Sequence, residues 1–110
     1  MLSIEECIQI IKDECEYLIN SSTNLTFNEF VNNEDLKRAF IRSLEVIGES
    51  VKNLPDNFKK QYTDIPWRNI AKMRDKLAHD LLKIDMEIIW DTVINRIPEL
   101  KTAIDKINLD

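Results

Sequence analysis

One short segment, Arg74-Asp75-Lys76-Leu77-Ala78-His79, gathers the residue types best suited to chemistry in this chain. His79 is the only histidine among the 110 residues. An imidazole ordinarily titrates near pH 6.5 and can act as base or acid. Arg74, five positions earlier, carries a permanent charge on a planar fork that matches phosphate oxygens. Asp75 stands four residues before His79, on the same helical face, where it could accept a hydrogen bond from the imidazole and fix its tautomer. Arg68, Lys72 and Lys76 recur at every fourth position and form one basic face of the same helix. The chemistry this set can offer is proton transfer beside a bound phosphate. A blander reading also stands, because a lone histidine near a helix C-terminus is often a favourable capping charge.

Other chemistries find less support. One histidine and two cysteines on one helix cannot build a zinc site, so no metal is expected. No motif supports a Ser-His-Asp or Cys-His arrangement centred on His79. The chain has one glycine, so no Gly-rich phosphate loop exists. The numerous carboxylates read as solvated helix faces. The formal net charge is −5, which gives no global attraction for nucleic acid. A nucleic-acid site therefore has to be a local basic patch such as the one around Arg68, Lys72 and Lys76.

A single domain over residues 1–110 has to position these groups. Apolar residues make up 44% of the chain, enough for a core, and the scarcity of Gly and Pro argues against a many-stranded β fold. A first helix is expected over about 4–20, with a Ser3/Glu6 capping box and an Ile4, Ile8, Ile11, Cys15, Leu18 stripe. Thr26 and Glu29 mark a short helical turn. Asn33 caps a second helix, about 34–53, with Leu36, Phe40, Leu44, Ile47 and Val51 inward. Another short turn is expected near 58–62. Asp64 and Pro66 open a third helix, about 65–81, burying Ile70, Met73, Leu77 and Leu81. Asp85 caps a fourth, about 86–107, with Ile89, Val93, Ile97, Leu100, Ile104 and Ile107 inward and Pro98 kinking or interrupting it. The fold class is all-α, an antiparallel four-helix-type bundle with short extra helical turns.

Cys7 and Cys15 lie about 12 Å apart along the first helix, too far to bridge within it, and read as reduced core cysteines of a cytoplasmic protein. No apolar run reaches the roughly 18–20 residues that cross a bilayer. The N-terminus is acidic and amphipathic, unlike a signal peptide. The sole glycine, Gly48, falls in the middle of the second helix, where it costs about 1 kcal/mol relative to Ala. Either it is a tolerated small residue, or another helix approaches closely there, from this chain or from a second one.

The stretch Ile65-Pro66-Trp67-Arg68-Asn69-Ile70-Ala71-Lys72-Met73-Arg74-Asp75-Lys76-Leu77-Ala78-His79-Asp80 resembles the core of HepT-like proteins of the HEPN superfamily. So does Ile41 to Glu49 in the second helix, and Ile89-Trp90-Asp91-Thr92-Val93 in the last. The resemblance covers nearly the whole chain, least distinctively in the first helix. It implies a metal-independent endoribonuclease, the toxin of a toxin–antitoxin pair, with a minimal nucleotidyltransferase antitoxin as partner. It places Arg74 and His79 as the catalytic residues of an Arg-x4-His motif, with Asp75 at the family's polar position. One departure is visible: the family often carries a tyrosine two residues after the histidine, the site of nucleotidyl modification by the partner. Here that position is Leu81.

The chemistry is sound on physical grounds. RNA carries its own nucleophile, the 2′-OH, so strand cleavage needs a base, an acid and positive charge on the developing phosphorane, and no metal. One chain offers one histidine for two proton transfers, and Arg74 and His79 are about 140° apart around an ideal helix. A homodimer pairing the second and third helices, with Gly48 near a close helix contact, would bring two motifs into one cleft. The alternative function is a noncatalytic helical dimer that binds a nucleotidyltransferase partner or a nucleotide.

Overall fold

The computed structural model describes residues 1–79 and 83–109. α1 (Ile4–Ser22) starts at Ser3, whose hydroxyl accepts from the Glu6 N–H while the Glu6 carboxylate accepts from the Ser3 N–H. Thr26 and Glu29 repeat this box at the start of α2 (Phe27–Val31). The Asn33 side chain accepts from the Leu36 N–H and opens α3 (Glu34–Lys52). Each cap satisfies a backbone donor that the first helical turn leaves without a partner. α4 is the short turn Asp56–Lys59. α5 spans Trp67–His79. Asp85 caps α6 (Met86–Asp91) by accepting from the Glu87 N–H.

The last helical run is not one kinked helix. After α6 the chain makes a π-helical stretch at Thr92–Arg96 and then enters α7 (Ile97–Asp105). Pro98 explains the change: it has no N–H to give to a carbonyl one turn back, and its ring crowds that carbonyl. A wider turn just ahead of it relieves both problems without breaking the run.

α3 is the central helix. It packs against α1 on one side and, most extensively, against α5 on the other; α7 closes onto α1. This is an all-α, four-helix-type arrangement. Its core holds most of the expected stripes, from Ile8, Ile11, Cys15 and Leu18 through Phe40, Leu44, Ile47 and Val51 to Ile89, Val93, Ile97, Leu100, Ile104 and Ile107, while Ile4 and Leu36, at the first turns of α1 and α3, are half-buried. Phe30 from α2 is fully buried as well and stacks on Phe40 at 5.0 Å between ring centres. α5 departs from expectation. Leu77 is buried, Ile70 and Met73 are only half-buried, and Leu81 lies outside the described residues.

The reason for the α5 departure is an open groove. α5 leans on α3 and α7 on α1, so α5 and α7 barely meet each other. Between them runs a groove of about 500 Å³, lined by Leu44, Ile47, Ile70, Met73, Ile97 and Leu100. Among the described residues no helix is long and apolar enough to cross a membrane.

Cys7 and Cys15 are buried free thiols. Burial pushes the Cys15 thiol up to about 12, and burial followed by the Glu6 charge raises that of Cys7. Since the thiolate is the reactive form, neither should react with iodoacetamide at pH 8 in the native protein. Both should react in denaturant. Intact mass before and after unfolding reads the result directly.

Candidate active site

Gly48 explains how Arg74 is held. A methyl group at Gly48 would collide with Cβ of Arg74 and lie 3.3 Å from its Cα. The missing side chain lets α5 lie directly on α3 at Arg74. The close approach is thus made within this chain, which removes Gly48 as the motive for a contact between copies.

From that contact the Arg74 side chain runs along α3. Its Nε sits 3.0 Å from Oε2 of Glu49, the residue next to Gly48. Its Nη1 donates to Oδ1 of Asp75 at 3.4 Å. The same Asp75 oxygen accepts from Lys52 Nζ at 2.8 Å. Two carboxylates and two cations therefore alternate across the helix pair, and the Arg74 side chain keeps 31% of its surface open to solvent. Glu49 and Lys52 were not among the residues picked out from sequence. The signal available was the pair of charges that follows Gly48 by one and four positions.

Asp75 does a different job from the one its spacing suggested. Among the described residues it makes no bond to His79, because Lys52 on the facing helix takes its carboxylate. The hydrogen bond from Lys52 is the largest influence holding the Asp75 carboxyl below its ordinary value. The Lys52 charge, the Arg74 hydrogen bond and the Arg74 charge act in the same direction, against the cost of desolvation. A carboxyl whose pKa is lower folded than unfolded adds stability above the unfolded value, near 4. That stability is lost as pH falls through the folded value. Wild-type protein should therefore lose more thermal stability than Asp75→Asn between pH 6 and pH 3, with the two melting curves converging at the acid end.

His79 is the last described residue of α5 and is exposed. Arg68, Lys72 and Lys76 are exposed as well, in a row along the same helix. α5 thus carries all six residues singled out from sequence. It ties Arg74 and Asp75 to α3 and leaves His79 and the basic row facing solvent. Among the described residues no group of three or more His, Cys, Asp or Glu side chains could hold a metal ion.

A family model described as "Ribonuclease HepT-like" matches residues 4–107. The chain belongs to the HepT-like family. A protein of Caldanaerobacter subterraneus subsp. tengcongensis, named a "putative RNase", is 45% identical to it over 100 residues, covering 91% of this chain and 89% of the relative. One of Methanocaldococcus jannaschii with the same description is 44% identical over 100 residues, covering 91% and 83%. The "probable ribonuclease HepT" of Thermococcus cleftensis is 36% identical over 105 residues, covering 96% of each chain. No solved structure matches significantly. The HepT-like match spans all the long helices, so Gly48, Glu49, Arg74 and His79 all fall inside it.

Proposed function

We propose that this HepT-like chain is a metal-independent endoribonuclease, acting as a cytoplasmic homodimer and serving as the toxin of a toxin–antitoxin pair. The observation that carries the catalytic part is the built seat of Arg74. A glycine clears space for it, and two carboxylates hold it at a half-open surface of the helix that also bears His79. In this reading the RNA 2′-oxygen attacks the adjacent phosphorus as its proton passes to a base. The P–O5′ bond breaks and the leaving oxygen takes a proton from an acid. His79 is the group that exchanges these protons, and Arg74 stabilises the charge gathering on the phosphorane. Asp75 supports Arg74. Arg68, Lys72 and Lys76 hold flanking phosphates, so affinity should fall steeply as salt rises.

The dimer follows from the count of protons and from the groove. Two transfers need two proton carriers, and each chain has one histidine. The groove between α5 and α7 leaves Ile70 and Met73 half-exposed, and a second copy would cover them. Sedimentation should give a dimer at micromolar concentration; a monomer at high micromolar concentration would count against it. The direct test of function is cleavage of an end-labelled single-stranded RNA in excess EDTA. Cleavage should persist there. Strict dependence on Mg²⁺ would sink the mechanism.

The antitoxin in this reading is a minimal nucleotidyltransferase. Leu81 has no hydroxyl to accept a nucleotidyl group, so neutralisation proceeds by covering the cleft or by modifying another residue. Of the two tyrosines, Tyr62 lies just before α5 but is half-buried and packs on Phe58 at 5.1 Å between ring centres. Tyr17, 40% exposed, is the more accessible tyrosine.

A further inference from the structure

We propose that Glu49 is the positioning residue of Arg74, fixing the guanidinium so that it meets the reacting phosphate in one orientation. The proposal rests on the ribonuclease reading above and deepens it.

Among the described residues, most ion pairs link near neighbours on one helix: Lys37 with Glu34, Lys59 with Asp56, Lys101 with Asp105. Two pairs bridge different helices, Glu49 with Arg74 and Lys52 with Asp75. Both join α3 to α5 at the Gly48 crossing. All four side chains are about a third to a half exposed, where an ion pair adds little to stability. Their placement calls for an explanation other than holding the helices together.

The geometry supplies one. An arginine side chain has long rotatable stems, and its value to a reaction depends on where the fork ends up. Here the stem is fixed at its root, because Cβ and Cγ of Arg74 lie against the bare Cα of Gly48. It is fixed again near its head, because Glu49 meets Nε and Asp75 meets Nη1. Two anchors define the plane of the guanidinium. A guanidinium carries five N–H donors, so these two contacts leave donors over for a phosphate.

The charge of Glu49 argues in the same direction. A carboxylate 3.0 Å from Arg74 weakens the local pull on phosphate. A site built only for affinity would lack it. Glu49 therefore trades attraction for orientation, and orientation is what the transition state rewards: a misplacement of about 1 Å in a reacting group can cost on the order of 10²-fold in rate. Lys52 plays the complementary part by holding Asp75, so that Asp75 stays in place beside Nη1.

The test is Glu49→Gln, which keeps size and removes charge at an exposed position and so leaves the fold intact. With single-stranded RNA in EDTA, kcat should fall roughly 10- to 100-fold, while KM stays the same or drops. Glu49→Asp should recover part of the loss. In an Arg74→Lys background, Glu49→Gln should change kcat by less than about twofold, because the two residues act as one unit. A second readout needs no activity: the Nε order parameter of Arg74, from ¹⁵N relaxation, should drop in Glu49→Gln. A kcat within twofold of wild type, a kcat that rises, or a KM that rises alone would overturn the proposal. Wild-type protein that cleaves no RNA would overturn the ribonuclease reading itself and the positioning role of Glu49 with it. An unchanged Arg74 order parameter in Glu49→Gln would overturn the anchoring on its own.

Discussion

Gly48→Ala is expected to destabilise the protein and to disable it, although the same change stabilises most helices. In an open helix the substitution gains about 1 kcal/mol. Here the new methyl meets Cβ and Cγ of Arg74 and approaches its backbone, so α3 and α5 must separate or tilt. Overpacking of this kind costs about 1–3 kcal/mol, occasionally more. The contact is between the two most extensively packed helices, and the upper part of that range applies. Net destabilisation of about 1–2 kcal/mol corresponds to a fall in melting temperature of roughly 5–15 °C. RNA cleavage should fall on the order of 10²-fold, since Arg74 moves with its helix. Thermal melts alongside a cleavage assay check both halves. A protein that is more stable and equally active would show that the crossing tolerates a side chain.

His79→Ala and Arg74→Ala carry the second large effect, confined to activity. Each should lower cleavage roughly 10²- to 10⁴-fold, one by removing the proton carrier and the other the charge on the phosphorane. The double variant should be little worse than either single one, because the two groups act in the same step. Stability should hardly change. His79 is exposed, and Arg74→Ala breaks two partly exposed ion pairs, with Glu49 and Asp75, each worth roughly 0–1 kcal/mol. Circular dichroism and melting curves separate this outcome from unfolding. Full activity in His79→Ala would remove the histidine from the mechanism.

What could be read from the sequence was what is local in the chain. Ser3, Thr26, Asn33 and Asp85 cap their helices because a cap needs only the next few backbone N–H groups. Apart from Ile4 and Leu36 in the first turns, the apolar stripes of the first, second and last helices are buried because a helix has one period and the core lies on one side. Ile70 and Met73 fit the same period yet are half-buried, since α7 packs on α1 and leaves α5 open along that edge. The break around Pro98 was expected, but the π-helical turn that resolves it depends on how the run packs on both sides.

The candidate site divides along the same line. Arg74 and His79 stand out by residue type and spacing, and the seat under Arg74 was half visible in a lone glycine at mid-helix. The partners of that seat were not visible. Glu49 and Lys52 reach Arg74 and Asp75 only when α3 and α5 cross, and no rule of sequence spacing links positions that far apart. For the same reason the spacing of Asp75 and His79 misled: a neighbour on the facing helix had a better claim on the carboxylate.

If the RNA's own 2′-OH is the nucleophile, served by Arg74 and His79 without a metal, the products carry its mark. The chemical nature of the cut ends distinguishes this route from attack by water. Fragments from cleavage in excess EDTA should be analysed by mass spectrometry. One fragment should carry a 2′,3′-cyclic phosphate, or the 3′-phosphate it hydrolyses to, and the other a free 5′-hydroxyl. A 5′-phosphate paired with a 3′-hydroxyl would mean that water attacked instead, and would contradict the 2′-OH route.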